Sequence, residues 1–353
     1  MNCKPFRALT VSALALAALT APALGAGGPA PDRYPYGGPA FTRLIADSDR
    51  AAGAGTPQDF YRWLDRAPLA QKSHGLLALT AAEKQKLSRL PTPAARAAEE
   101  RAFCARLHKM VKTWMPNFSL DEGFEFTNAV KKGERQCLLQ SVLLAGLLQR
   151  AGVDSGIVMV WRNLRGQATN NSHVVTLVRL ADGRNVELDA SDPVPFVRHQ
   201  GLLAEQDGLR DVEPIFAGDA PTILGYRATG DGRRLATRQI RPLPYAFVRS
   251  QFDYYRGERT PGGLPPAPGP ISPVGLNREA RFLRSAIRTS PDNALAVYML
   301  GRVYLKQGKT SVARREVSEA LELYADAGWT PDGPRDLAAQ ILPPDRSARN
   351  EKP

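Results

Sequence analysis

The chain has 353 residues, of which 43% are hydrophobic, 23% charged and 7% aromatic. That composition excludes a wholly disordered chain and sets one large or two medium domains as the expectation. The formal net charge of +12 favours acidic partners such as anionic polymers or lipid headgroups. The basic residues are spread out, however, with no basic run interleaved with aromatics and no nucleic-acid motif. An Arg-rich composition accounts for the charge, and no nucleic-acid partner is expected.

Lys4 and Arg7 precede an apolar stretch over residues 8–19, and small residues follow at Ala21-Pro22-Ala23 and Ala23-Leu24-Gly25-Ala26. This reads as a secretory signal over 1–26, too short to span a bilayer stably; an uncleaved anchor is the competing reading. No later stretch approaches 18 apolar residues free of charge, so the mature chain is expected to have no membrane span. It is expected to be secreted or to reside in the periplasm or envelope of a bacterial cell. Cleavage removes Cys3 and leaves Cys104 and Cys137, two thiols that an oxidising compartment could join as one disulfide.

Residues 27–57, rich in Gly, Ala and Pro, read as a disordered lead-in, and 58–256 as the main domain. A helix is predicted from Pro93 to about Met115, with Ala97, Phe103, Leu107 and Val111 on one face and Pro116 as its stop. Residues 117–136 read mostly as loop. From Cys137 the chain is apolar nearly all round (Leu138, Leu139, Val142, Leu143, Leu144, Leu147, Leu148, Ala151), the mark of a buried central helix, and Gly152 ends it. A strand over Ile157–Trp161, a polar loop over 162–172, a strand over His173–Leu180, a turn at Asp182-Gly183 and a return strand over Asn185–Asp189 complete a helix followed by at least three antiparallel strands. Residues 193–255 are ambiguous, with strands expected near Ile215 and over 245–248.

Six prolines and five glycines fall within residues 257–275, a composition that reads as an interdomain linker. Beyond it, Leu300, Gly301, Tyr304, Ala313, Val317 and Ala320 have the spacing of one tetratricopeptide unit, and Leu283 and Ala286 precede Val317 and Ala320 by 34 residues. The segment 276–342 therefore resembles a tetratricopeptide-like helical module. One and a half units are too few for a free-standing solenoid, so a small appendage docked on the main domain is expected.

Cys137 stands at the predicted N-terminus of the central helix, where the positive end of the helix dipole favours thiolate over thiol. A thiol nucleophile needs a base, and His173, one of only four histidines, opens a strand 36 residues later. An acid on the neighbouring strand could orient the imidazole; Asp189 and Asp192 both qualify. Counting outward from the Asp182-Gly183 turn sets His173 opposite about 191–193, which favours Asp192. No Cys/His pair has zinc-ligand spacing, no glycine loop suggests a nucleotide, and no cofactor or metal is expected.

This segment, roughly 100–195, resembles the transglutaminase-like superfamily of papain-type thiol enzymes. The resemblance implies an α+β papain/transglutaminase-like core, a buried helix packed on an antiparallel sheet, with Cys137 as nucleophile, His173 as general base and acid, and Asp189 rather than Asp192 as orienter. It departs from the common pattern at Val174 and Val175, where many members carry an aromatic two residues after the histidine, and at Gln136, where small residues are common. Gln136 could donate to a developing oxyanion, but it is expected first as a plain surface residue, with the Cys137 main-chain N–H as the safer oxyanion donor. The expected function is acyl-thioester chemistry on amide bonds of peptides or proteins, hydrolysis before crosslinking. The alternative is an inactive envelope binding or assembly protein that uses the same fold as scaffold and the helical module as contact surface for a protein partner.

Overall fold

The computed structural model describes residues 32–53, 57–67, 72 and 74–342; the expected signal over 1–26 lies outside them. The described residues belong to one compact α+β unit. Its centre is the helix Cys137–Arg150, in which every residue from Cys137 to Gln149 is buried. Such a helix must be covered on all sides. Among the described residues no helix is long and apolar enough to cross a membrane.

One side of the helix is covered by strands β3 (Asp154–Arg162), β4 (Ala168–Arg179) and β5 (Asn185–Leu188), which are antiparallel neighbours. Before them come the short parallel pair β1 (Asn117–Phe118) and β2 (Glu134–Arg135). After them β6 (Phe196–Val197), β7 (Gly201–Glu205), β8 (Leu209–Phe216), β9 (Ile223–Ala228) and β10 (Arg234–Leu235) extend the sheet. Pairing of Asn185 with Ile223 brings β9 back to β5, so β5, β4, β3, β7, β8 and β9 close into a six-stranded barrel. Alternation assigns the faces. Val174, Val178, Val186 and Leu188 join the core around the central helix, while Val175, Leu177, Leu202, Val212 and Tyr226 fill the barrel. Two hydroxyls stitch helix to sheet: Ser141 donates to the Val174 carbonyl at 3.0 Å and Thr176 to that of Ser141 at 3.0 Å.

The segment expected to be a disordered lead-in is instead built into the core over residues 32–53. Pro39–Ala52 is a helix, and Tyr34, Tyr36, Phe41, Leu44 and Ile45 are buried. Gly146 explains why. A Cβ there would come within 2.7 Å of the Phe41 ring, and the Tyr36 N–H donates to the Gly146 carbonyl at 2.8 Å, so the missing side chain is the seat of the lead-in. Composition misjudged a stretch whose few aromatics are all used.

Two further expectations are corrected. Residues 245–248, read as a strand from their aromatic and β-branched content, begin the helix Tyr245–Glu258, whose buried Phe247, Val248, Gln251, Phe252 and Tyr255 follow the helical period. Between 117 and 136, read mostly as loop, lies the helix Phe126–Lys132 besides β1 and β2. Glu125, just before that helix, is clamped by Arg256 through two buried bonds of 2.7 and 2.9 Å.

Residues 257–275 are not a spacer between bodies. Their glycines are points of close approach: a Cβ on Gly275 would fall 2.1 Å from the Gly262 carbonyl carbon, and one on Gly263 would fall 2.6 Å from a Glu279 carboxylate oxygen. The helices that follow, Pro273–Thr289, Ala294–Lys306, Thr310–Ala327 and Asp332–Ile341, include a tight crossing where a Cβ on Gly301 would lie 2.8 Å from Val317. Asn293 caps the second of them and also donates to Ser250 Oγ at 2.9 Å, and Trp329 lies 4.8 Å, ring centre to ring centre, from Trp161 of β3. The helical segment is docked on the barrel.

Candidate active site

Cys137 is the first residue of the central helix, with Gln136 as its N-cap in extended conformation. His173 lies in β4 opposite Val160 of β3, and its Nε2 is 2.9 Å from Asp189 Oδ2. A carboxylate oxygen accepts, so Nε2 carries the proton and Nδ1 is left to the thiol. Burial pulls the His173 pKa down, but hydrogen bonds to Asp189 and to Cys137, together with their charges, outweigh it and raise it to about 10. For Asp189 burial acts upward, and the hydrogen bond and charge of His173 outweigh it, holding the carboxyl below its ordinary value. The structure thus brings Cys137, His173 and Asp189 together.

The register explains why Asp189 rather than Asp192 meets the imidazole. Thr176 pairs with Leu188 and Leu177 with Glu187; the same register carried onward would set Ser191 opposite His173, within the counted range of 191–193. Residues 189, 191 and 193 then share the face of His173, and 192 takes the other. Pairing stops at Leu188, and the loop folds so that the Asp189 N–H donates to the Pro195 carbonyl and Asp189 Oδ1 accepts from the Ser191 N–H at 2.8 Å. Asp189, the diagonal neighbour on the right face, is within reach. The observed register is one residue off the count centred on Asp182-Gly183, and that shift, not the sequence, puts residue 189 on the face of His173.

Several participants were not anticipated. His108, on the long helix Pro93–Trp114, lies with Nε2 3.1 Å from both the Asp189 and Asp192 carbonyls; carbonyls only accept, so Nε2 donates and pins the loop that carries Asp189. Behind Asp189 stands a second acid–imidazole pair. Glu187, fully buried, accepts from both the Nδ1 (2.8 Å) and the main-chain N–H (3.2 Å) of His199, and His199 Nε2 is 3.9 Å from Asp189 Oδ2. Burial raises the Glu187 pKa although His199 opposes it. His173, Asp189 and His199 offer one donor atom each within 4.8 Å of one another, a set that could hold a metal ion, but the His173–Asp189 contact at 2.9 Å is already a complete hydrogen bond. Alternation from Asp189 could have found Glu187; nothing local announces His199.

Tyr255, on the helix whose first four residues read as a strand, has its hydroxyl 3.8 Å from Cys137 Sγ, and its ring stacks on Phe124. Gln136 is buried at 2% exposure, not a surface residue, and among the described residues its Oε1 has no partner; Gln140, one turn on, is also buried with neither amide atom bonded among them. Cys104 and Cys137 are both free thiols, so the disulfide alternative is not what the structure contains. Burial raises the Cys104 pKa to about 12. Cys137 is 8% exposed, and the His173 side chain keeps 28% of its surface open to solvent. No family model, no curated protein and no solved structure matches the chain.

Proposed function

We propose that the chain is a thiol enzyme of the transglutaminase-like kind, in which Cys137 forms an acyl-thioester with the carbonyl of an amide bond in a peptide or protein. One observation carries this reading: a single imidazole, His173, interacts with the Cys137 thiol and holds the Asp189 carboxylate at 2.9 Å. Nucleophile, base and orienting acid are the parts that acyl transfer needs. The central helix lying across β3 and β4 supports the papain-like reading of the core.

In this mechanism the thiolate attacks the carbonyl carbon and the C–S bond forms. Negative charge moves to the carbonyl oxygen, which is assigned to the Cys137 main-chain N–H, one of the donors that a first helical turn leaves uncommitted. Collapse breaks the C–N bond as the His173 imidazolium gives its proton to the leaving amine. His173 then takes a proton from the water that cleaves the thioester. Water is always at hand, whereas crosslinking needs a site that admits an amine in its place, so hydrolysis is the assigned outcome. The signal-like start makes this an exported enzyme acting on envelope peptides or proteins, with the tetratricopeptide-like helices as a contact surface for a protein partner.

A scaffold without catalysis draws support from the 8% exposure of Cys137 and the Tyr255 hydroxyl beside it. Thiol labelling separates the two. With iodoacetamide at neutral pH, Cys137 should react roughly 100-fold or more faster than Cys104, since a buried thiol with a raised pKa is inert. His173→Ala should slow Cys137 at least about tenfold. Cys137→Ala should abolish cleavage of any peptide the wild type cleaves. Equal, slow labelling of both thiols would overturn the enzyme reading and leave the scaffold.

A further inference from the structure

Two half-buried cations are tied to the segments that lead to the thiol–imidazole pair, with no salt bridge to either among the described residues. Arg135 ends β2, two residues before Cys137. Its Nη1 donates to the carbonyls of Met115 at 2.8 Å and Pro116 at 2.5 Å, its Nε is buried without a partner among the described residues, and burial pulls its pKa down. Lys112, on the long helix, donates to the Asp192 carbonyl. Its pKa is lowered by burial first and by the charge of Arg135 second, with Asp192 and Asp189 acting the other way.

The acids nearby form no ion pair with either cation among the described residues, although the charges of Asp192 and Asp189 reach Lys112. Asp189 holds His173 and the Ser191 N–H, Asp192 Oδ1 accepts from the Val194 N–H at 3.0 Å, and Glu134 has Oε1 3.9 Å from Lys132 and a buried Oε2 with no hydrogen bond among the described residues. Both cations are therefore tethered by neutral carbonyls, which fix their position without cancelling their charge. Two like charges, partly desolvated and mutually repelling, raise the free energy of the empty site; an anion between them would offset that. An apolar side chain marks each end of the pair. Phe118, 56% exposed, sits opposite Arg135 across β1 and β2, and Val194, 55% exposed, lies in the loop that Lys112 holds.

We infer that Lys112 and Arg135 form a subsite for a carboxylate, so that the substrate is an acidic peptide whose scissile amide lies next to a free carboxylate and an apolar residue. This rests on the thiol-enzyme reading above and gives it a substrate class. Arg135 supplies the planar fork that matches a carboxylate, and Lys112 the point charge.

Iodoacetate and iodoacetamide test this on the full chain, since they share a leaving group and differ in charge. The probe is the ratio of their alkylation rates at Cys137. Lys112→Gln and Arg135→Gln should each lower the iodoacetate-to-iodoacetamide ratio roughly 3- to 10-fold at low salt, and high salt should lower it in the wild type. Lys112→Arg and Arg135→Lys should restore it. Arg135 also anchors two carbonyls, so if Arg135→Gln does not fold, the Lys112 pair of variants decides. A ratio unchanged in the glutamine variants while Cys137 still reacts with iodoacetamide overturns the subsite and leaves the enzyme reading standing. A Cys137 that reacts with neither reagent faster than Cys104 overturns the enzyme reading, and the subsite with it.

Discussion

Two regions of the molecule are each built around a buried carboxylate, and the two carboxylates are treated in opposite ways. Asp189 faces the His173 imidazole at 2.9 Å, and its pKa is held below the ordinary value although burial alone would raise it. Glu279, fully buried where residues 257–275 meet the helical segment, accepts the Leu264 N–H at 2.7 Å and has no cation bonded to it among the described residues; burial pushes its pKa up to about 7. A partner that can carry positive charge keeps a buried acid ionised, and a neutral donor does not. The first arrangement suits a site where charge must be present and aimed. The second suits a clamp, where the oxygen is wanted as an acceptor and its charge is a liability.

The largest test of that contrast removes the charge from each. Asp189→Asn keeps the size of the side chain but takes away the anion opposite the imidazolium. The rate of Cys137 alkylation at neutral pH should fall about 100-fold or more, by the logic that makes the third member of a triad indispensable. Asp192→Asn, on the other face of the loop, should stay within about twofold. Equal effects at the two positions would mean that the loop, not the carboxylate, matters.

The sequence revealed the first region far better than the second, for physical reasons. A helix apolar on every side, opened by Cys137 and closed before Gly152, can only be central. A strand opening at His173 and returning through Asp182-Gly183 narrows the orienting acid to Asp189 or Asp192, and the observed register, one residue off the count, decides for Asp189. The barrel was not legible, because its closure depends on Asn185 meeting Ile223, a pairing between strands nearly forty residues apart that no local pattern announces. Tyr255 was hidden by residues 245–248, whose strand-like composition gave way to tertiary packing. In 257–275 the same glycines that suggest a flexible spacer also allow backbone to meet backbone, and composition alone does not distinguish these uses.

That ambiguity gives the next prediction. If the glycines are contacts, Gly275→Ala should destabilise the protein by about 1–3 kcal/mol, as overpacking does. The atom a new Cβ would meet is the Gly262 main chain at 2.1 Å, which cannot rotate aside as a side chain would. Urea unfolding would measure it. A loss near zero would return the segment to the status of a loose spacer and with it weaken the clamp half of the comparison.

The smallest effect is also the most direct reading of Glu279. In the unfolded chain its carboxyl has the ordinary value of 4.5, and in the folded protein about 7. Below the lower value both states hold the proton, and the carboxyl's contribution to stability is fully present. Between the two the folded state keeps a proton that the unfolded state has lost, so stability falls as pH rises across that window, by at most one proton's worth of slope. The charges of Arg302 and Glu258 act on the group in opposite directions and leave burial in command. Glu279→Gln keeps an acceptor for the Leu264 N–H and removes the titration, so its stability relative to the wild type should increase steadily from pH 5 to pH 7 and then level off. Urea midpoints at half-unit intervals would show it. Parallel profiles for the two proteins would mean that Glu279 stays ionised at neutral pH, and the opposition between the two carboxylates would be lost.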